Sequence, residues 1–219
     1  MREVPPRRVP VSQIVRESWR ETNWRTTTYL PVFPNTIPYN ELLLLGYLRI
    51  GKFWVYTRSW ELTDFESPFP MLLYNSKTVV RAVTQHYEDV FDPSRLPTGV
   101  IVGYAELAEV RPLNAEEIFL IFGRFNGMTE QNARRTIEKC FRDLDAGKPE
   151  NSLPPYIWPC EVGLFFGKML RFENPVRFAW RGRKHMSWAP LESVSAELEK
   201  VGVDPSRVSR LIRKTIPKL

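Results

Sequence analysis

The chain has few of the residues that bind structural metal ions or form disulfides. Of its 219 residues only two are cysteine, Cys140 and Cys160, and only two are histidine, His86 and His185. These four residues do not have the spacing of zinc ligands, and unpaired cysteines are commonly interior residues. The sequence therefore predicts two buried free thiols, no metal site and no cofactor.

Long apolar runs are also missing. Runs such as residues 42–45, which stop at Gly46, are far shorter than the roughly 20 residues that a membrane-spanning helix needs. The first eight residues, Met-Arg-Glu-Val-Pro-Pro-Arg-Arg, contain no apolar segment after a basic residue and so do not resemble a signal peptide. These absences predict a cytoplasmic protein without a membrane partner.

Aromatic residues and prolines are plentiful. Aromatic side chains make up 13% of the chain, with seven tryptophans, which is typical of a folded core and not of a disordered chain. The nineteen prolines favour many short connections over a simple helical bundle. A chain of this length is expected to form one large domain, or one domain with an appended module.

Positive charge is concentrated towards the two ends of the chain. Residues 177–219 contain ten Lys and Arg against four Asp and Glu, and residues 1–25 contain six against three. The middle, residues 26–176, contains fifteen against eighteen. This asymmetry indicates a polyanionic partner. The alternative is a solvated basic tail that only improves solubility.

The spacing of apolar residues predicts strands that cluster together and are interrupted once by a pair of helices. The predicted strands are residues 53–57, 71–74, 78–83, 100–107, 156–166, 170–172 and 176–180. The predicted helices are residues 12–22, residues 41–48 capped by Asn40, one after Asn114 with Glu117 completing a capping box, one from Thr129, and two in the tail. This order predicts an α+β fold built on a small, mixed and mostly antiparallel β-barrel with flanking helices.

Four segments resemble the PUA-like superfamily, and ASCH-type domains in particular. They are residues 51–56 after a short helix, residues 71–78, residues 99–107, and residues 158–183, which end in a basic Gly turn. The resemblance runs from Pro38 to about Leu191. It implies a PUA-like barrel whose concave face accepts a base or a short single strand.

The same resemblance offers an enzymatic alternative. Some ASCH proteins are amidohydrolases on modified cytidine, and the matching candidates for catalysis are Lys77, Thr78 and Glu106. The family pattern Gly-x-Lys-x-x-Glu-x-Arg is only partly matched, because Asn75, Val80 and Ala82 stand at its Gly, Glu and Arg positions. A binding module is therefore the first hypothesis, and a hydrolase on a modified nucleoside is the alternative.

Aromatic and basic side chains in the predicted strands and tail are the candidate contacts with nucleic acid. Unpaired bases stack on aromatic rings, and Lys and Arg bind phosphates. The predicted nucleic-acid-binding residues are Trp54, Tyr56, Lys77, Arg81, Tyr104, Trp158, Arg181, Arg183, Lys184, Trp188, Arg207 and Arg210, with Tyr74 and Trp180 as further aromatic candidates. The alternatives are that each ring packs in the core and that the basic segment 180–188 is an ordinary exposed turn.

The tail resembles a helix-turn-helix motif. Residues 191–214 form two predicted helices around Gly202, with Asp204 and Pro205 opening the second, whereas Glu197 and Leu198 depart from the motif's usual residues. The tail is either a DNA-reading element or a packed helical hairpin.

The predicted organisation is an N-terminal arm and helix (1–37), a PUA-like/ASCH-type domain (38–189) and a basic C-terminal hairpin (190–219). The predicted partner is nucleic acid, with RNA favoured over DNA.

Overall fold

The computed structural model describes residues 7–18, 22–58, 60–147, 162–180 and 186–216. The strands are β1 Arg7–Pro10, β2 Tyr29–Ile37, β3 Arg49–Ile50, β4 Phe53–Arg58, β5 Trp60–Thr63, β6 Phe69–Val79, β7 Val100–Pro112, β8 Val162–Arg177 and β9 Ser187–Pro190. The α-helices are α1 Val11–Ser18, α2 Tyr39–Leu44, α3 Arg81–His86, α4 Ala115–Phe125, α5 Glu130–Asp145, α6 Ser195–Lys200 and α7 Pro205–Thr215. No helix within these ranges is long and apolar enough to cross a membrane.

Seven of the strands form one sheet, in the order β3-β4-β8-β7-β6-β2-β9. β2 runs parallel to β6, and the other neighbours are antiparallel, so the predicted mixed α+β fold is confirmed. The predicted closure into a barrel is wrong. The outer strands β3 and β9, with two and four residues, form no ladder with each other in the described part of the chain, and a barrel requires that ladder.

Side chains, and not backbone ladders, connect β4 to β2 on the open side of the sheet. Nη2 of Arg58 donates a hydrogen bond to the carbonyl of Pro34 at 2.8 Å and another to Oδ1 of Asn35 at 2.9 Å. The guanidinium also lies over the rings of Phe33 and Tyr56, with its Cζ 4.6 and 4.5 Å from their centroids. The sheet is therefore curled strongly enough to bring β4 over β2, although it stays open.

Helices cover both faces of this sheet. Tyr104 of β7 lies opposite Leu72 of β6, and both are buried on the face that α6 and α7 cover. Asn35 and Asn75 point to the other face, where they hydrogen-bond to Asn40 of α2. Successive side chains of a strand point to opposite faces of the sheet, so the apolar core has one layer on each face.

Two predicted helix starts are confirmed in detail. Oδ1 of Asn114 accepts a hydrogen bond from the Glu117 amide at 2.9 Å, and the Glu117 carboxylate accepts one from the Asn114 amide at 3.0 Å, which completes the capping box. Asp204 accepts a hydrogen bond from the Ser206 amide at 2.8 Å, and Pro205 is the first residue of α7. Local sequence suffices here because each cap involves only residues of its own first turn.

Three predicted boundaries differ from the structure. Asn40 lies inside α2, which begins at Tyr39, and its side chain is buried instead of capping the helix. Residues 81–83, predicted as strand, begin α3. The predicted strands 170–172 and 176–180 are parts of one strand, β8, which ends at Arg177. The second and third differences follow from irregular strand pairings that apolar periodicity does not reveal.

Gly103 marks one of these irregular pairings. Ile101 lies opposite Val176 and Gly103 lies opposite Arg171. An advance of two residues along β7 therefore corresponds to an advance of five residues along β8. The two backbones approach so closely that a Cβ on Gly103 would lie 2.4 Å from the carbonyl oxygen of Leu170. Only glycine fits at this position without a backbone shift.

Replacing Gly103 with alanine is expected to lower the free energy of unfolding by about 1–3 kcal/mol or more, because the added methyl group displaces backbone atoms. Gly167→Ala is the matched control in β8, since its Cβ would meet only the Ala108 methyl at 3.6 Å. Urea denaturation measures both variants. Equal stability of the two would contradict the close approach at Gly103.

Candidate nucleic-acid interface

β6 contains a bulge at its C-terminal end. Asn35 and Ile37 of β2 lie opposite Asn75 and Val79 of β6, so two extra residues of β6 are accommodated between these pairs. Lys77 lies within the bulge and is exposed. Because a bulge re-aims side chains and bends its strand, Lys77 does not follow the alternation of the preceding residues.

The bulge places Lys77 beside Tyr74. The amide of Gly99, the residue before β7, donates a hydrogen bond to the Asn75 carbonyl at 2.8 Å. An ideal Cβ on Gly99 would lie 3.5 Å from Cε of Lys77 and 4.0 Å from Oη of Tyr74. Gly99 has a φ of +69°, which favours glycine. Its lack of a side chain leaves the space between the lysine and the tyrosine hydroxyl open.

Three aromatic rings meet at the same place. The rings of Tyr74 and Trp180 are stacked, with centroids 5.3 Å apart and planes 22° from parallel. Phe178 packs edge-on against Tyr74, with centroids 5.8 Å apart. Tyr74 is buried, whereas Trp180 and Phe178 are both half-buried, so solvent reaches part of each of these two rings. Burial raises the pKa of the Tyr74 hydroxyl, which keeps it protonated and able to donate a hydrogen bond.

Two exposed cations lie near these rings. Lys77 and Arg177 are both exposed, and Arg177 lies opposite Val100, the residue after Gly99. Neither forms an ion pair with any residue that the structure describes. We call Tyr74, Lys77, Gly99, Arg177 and Trp180 the bulge surface. Exposed Arg81 follows four residues after Lys77, at the start of α3.

A chain of buried hydrogen bonds supports the base of the bulge. Asn35 donates to Asn40 at 2.5 Å, and Asn40 donates to Asn75 at 3.0 Å. Asn75 donates to Glu41 at 3.1 Å and to the carbonyl of Pro97 at 3.1 Å. These four side chains are at most 3% exposed. Asn75 therefore ties the bulge both to α2 and to the loop that leads to Gly99.

Glu41 is the charged member of this buried chain. Its carboxylate, 3% exposed, forms an ion pair with the guanidinium of Arg171 in β8, which is itself 45% exposed. A buried carboxylate needs such a partner because desolvation disfavours an isolated charge. The pair joins α2 to β8 beneath the open side of the sheet.

The rings that were predicted to line a hollow are mostly core residues. Tyr104 is completely buried, and Tyr56 and Trp188 are each 7% exposed. Trp188 packs edge-on against Trp24, with ring centroids 4.8 Å apart. These three rings have no face open to a base, so the core-packing alternative describes them in this structure. Where both faces of a strand are covered, its aromatic side chains pack in the core and a ligand cannot reach them.

Trp54 lies apart from the bulge surface. It pairs with Arg49 in the β3–β4 hairpin, at one edge of the sheet, and the Arg49 guanidinium carbon lies 4.3 Å from the centroid of a Trp54 ring. The ring is half-buried. The structure therefore does not bring Trp54 together with Lys77 and Trp180.

The three catalytic candidates do not converge. Glu106 lies opposite Pro70, and Lys77 lies seven residues further along β6, which corresponds to roughly 20 Å at strand spacing. Thr78 is exposed next to Lys77. A single nucleoside cannot contact Glu106 and Lys77 at that separation. The structure therefore does not bring the three candidates together, and their catalytic role stays a prediction.

Glu106 has a structural role instead. Its two carboxylate oxygens accept hydrogen bonds from both terminal nitrogens of Arg207, at 2.7 and 3.1 Å. The Tyr104 hydroxyl donates to the same carboxylate at 3.0 Å. Burial, together with the adjacent carboxylate, raises the pKa of Tyr104 well above its ordinary value. The pair ties α7 to the sheet, which removes Arg207 from the set of free phosphate-binding side chains.

The tail packs as a helical hairpin. Val194, Leu198, Val208 and Ile212 are buried in the same core cluster as the sheet. Arg210 points to solvent, with 71% of its side chain exposed and a nitrogen 3.9 Å from a carboxylate oxygen of Asp204. The two predicted DNA- or RNA-binding arginines of α7 therefore have different environments.

Several predicted residues lie outside the described part of the chain. Trp158, Arg181, Arg183 and Lys184 belong to this group, as do Cys160 and His185. The side chain of Cys140 is also outside the description. Their predicted roles stay predictions.

Sequence reasoning missed the buried amides and Glu41. The available signal was the placement of polar residues in otherwise apolar segments: Asn75 ends the apolar run of β6, and Asn40 and Glu41 precede four consecutive leucines. Such residues are rarely interior without partners. Their partners come from three separate elements, so no local pattern identifies them.

Comparisons with known proteins give a distant structural similarity. No protein-family model matches the chain, and no curated protein matches it. The solved structure of ASCH from Zymomonas mobilis is similar over 80% of this chain and 96% of its own, at 10% identity and a TM-score of 0.41. A tyrosine-to-phenylalanine variant of that protein matches over 77% and 96%, at 9% identity and 0.41. A serine-to-alanine variant matches over 78% and 96%, at 10% identity and 0.38.

Proposed function

We propose that the chain binds nucleic acid, and RNA in particular, at the bulge surface. The observation that supports this most directly is that Lys77 and the Tyr74 hydroxyl both lie beside Gly99, while the Tyr74 ring is stacked on Trp180. An accessible ring next to unpaired cations is the combination by which proteins bind single-stranded nucleic acid.

Each element of the surface has a defined part in this proposal. An unpaired base stacks on the accessible side of Trp180, whose other side rests on Tyr74. Lys77 and Arg177 contact the phosphates on either side of that base. Stacking contributes about 1–3 kcal/mol per base, and the phosphate contacts add affinity that falls as salt is raised.

The proposal favours an unpaired base for a steric reason. Trp180 is half-buried, so only one side of its ring is open, and a base within a duplex is already stacked on both sides. Sequence-specific recognition of RNA mostly targets unpaired bases for the same reason. The resemblance of residues 71–78 and 99–107 to ASCH-type segments points to the same region of the chain.

The test is binding of a fluorescent oligouridylate to Trp180 variants. Trp180→Leu is expected to weaken binding about 5- to 150-fold, the range that corresponds to the loss of one stacked base. Trp180→Phe is expected to weaken it less because a ring remains. Circular dichroism and the melting temperature confirm that each variant is folded. Wild-type affinity in Trp180→Leu would refute the proposal.

Lys77→Ala provides an independent measurement on the same surface. The slope of log affinity against log salt is expected to fall by about 0.7, the value for one phosphate contact with a single strand. Lys139→Ala is the matched control, because Lys139 is an exposed lysine on α5. An equal change in both variants would mean that only net charge matters. Parallel measurements with oligothymidylate separate RNA from DNA.

A further inference from the structure

A second group of exposed cations lies on α7. Arg210, Arg213 and Lys214 are exposed and are three and four residues apart, so they share one side of the helix. Val208, Ile212 and Thr215 are buried on the opposite side. Arg213 and Lys214 form no ion pair with a described residue, and Arg210 lies only within 3.9 Å of Asp204. We call these three cations the α7 basic face.

α7 is held firmly on the sheet by contacts that do not use these cations. Arg207 binds Glu106 through two hydrogen bonds, and the hydroxyls of Ser209 and Thr28 are 3.1 Å apart. Near the end of the helix, the Thr215 hydroxyl lies 3.3 Å from the carbonyl of Glu66. Basic residues in a last helical turn also favour the helix dipole, but that effect does not require three exposed cations on one side.

The α7 basic face and the bulge surface lie along the same face of the sheet. Pro70, Leu72 and Tyr74 alternate along β6 and therefore share a face, and Glu106, which binds α7, lies opposite Pro70. α7 starts beside Glu106 and ends beside Glu66, so it runs away from Lys77. The distance from Lys77 to the cations of the last turn is on the order of 30 Å, from strand and helix rises.

The two cationic surfaces are not continuous. α6 packs beside them on β8, where the Glu197 carboxylate accepts a hydrogen bond from the Asn174 amide at 3.0 Å. Exposed Glu192 and Glu199 belong to this hairpin region. A bound strand therefore meets two separated groups of cations with carboxylates nearby, and its length decides whether it reaches both.

We propose that the α7 basic face is a second phosphate-binding surface for the same nucleic acid strand, so that the ligand is an oligonucleotide and not a nucleoside or dinucleotide. This inference rests on the proposed function of the bulge surface. A span on the order of 30 Å corresponds to about nine nucleotides of a stacked strand at 3.4 Å per nucleotide. Short oligonucleotides reach only one surface, whereas longer ones reach both.

The test compares Arg210→Ala/Arg213→Ala/Lys214→Ala with the wild type on oligouridylates of three and about twenty nucleotides. Binding of the long strand is expected to lose about 2 from its salt slope, the value for three phosphate contacts. Wild-type affinity then falls roughly 16-fold more than that of the variant between 50 and 200 mM salt. Binding of the trinucleotide is expected to be unchanged.

The matched control is Arg135→Ala/Lys139→Ala/Arg142→Ala, which removes three exposed cations at similar spacing from α5. An unchanged salt slope for the long strand in the α7 variant would overturn the inference, as would an equal loss in the α5 variant. In either case the bulge surface still stands if Trp180→Leu weakens trinucleotide binding. Both proposals would be refuted if affinity did not depend on the length of the oligouridylate and Trp180→Leu bound as tightly as the wild type.

Discussion

Asn40→Leu is expected to lower the free energy of unfolding by about 2–6 kcal/mol, because it leaves two buried polar groups without a partner, each costing about 1–3 kcal/mol. Asn40 is completely buried and accepts a hydrogen bond from Asn35 while donating one to Asn75. Leucine has the same number of side-chain heavy atoms and the same branching at Cγ, so the substitution removes the hydrogen bonds without creating a cavity. Urea denaturation at pH 7 measures the change.

Asn132→Leu is the control for this substitution, since Asn132 is exposed on α5 and surface substitutions usually change stability by less than about 0.5 kcal/mol. If Asn40→Leu were as stable as that control, the buried amide chain would not hold the bulge. The variant is also expected to bind oligouridylate more weakly, because Asn75 then loses one of the contacts that fix the segment bearing Lys77.

Arg207→Met is expected to cost about 3–5 kcal/mol of stability, the range for removing one partner of a buried ion pair. Glu106 is 9% exposed and keeps only the Tyr104 hydroxyl as a hydrogen-bond donor among its described contacts. Glu106→Gln is expected to cost less, because the amide oxygen still accepts from Tyr104 and Arg207, 42% exposed, is hydrated by solvent. The loss in Arg207→Met comes from the carboxylate that stays behind.

A double-mutant cycle isolates this interaction. Glu106→Gln/Arg207→Met is expected to recover much of the stability lost in Arg207→Met, since no buried charge remains. Arg210→Met is the control within the same helix, because Arg210 is 71% exposed and makes no close ion pair. Additive effects of the two substitutions would show that Glu106 and Arg207 do not couple.

The parts of the fold that depend on neighbouring residues were predictable. The capping box of Asn114 and Glu117 involves one helical turn, and so does the start of α7 at Asp204 and Pro205. Strand-forming residues placed β4 and β7 within a few positions of their observed bounds. Such features follow from backbone geometry and from side chains that reach only a few residues away.

The accessible part of the site was less predictable. The sequence identifies Lys77 as a candidate, and the structure places it beside Tyr74, whose ring stacks on Trp180. Tyr104 had the same apparent claim as Trp180, since both are aromatic residues in apolar segments. Tyr104 is a core residue because α6 and α7 cover the face of the sheet on which it lies. No periodicity distinguishes a covered face from an open one.

The amino-acid sequence by itself determined the α+β class, the starts of α4 and α7, most of the strand-forming segments and the concentration of basic residues in the tail. Only the tertiary structure decided that the sheet stays open, that Glu106 binds Arg207, and that the cations separate into two surfaces. The physical reason is the range of the interactions involved. Propensities and caps act over a few residues, whereas burial, bulges and ion pairs depend on elements that are distant in the chain.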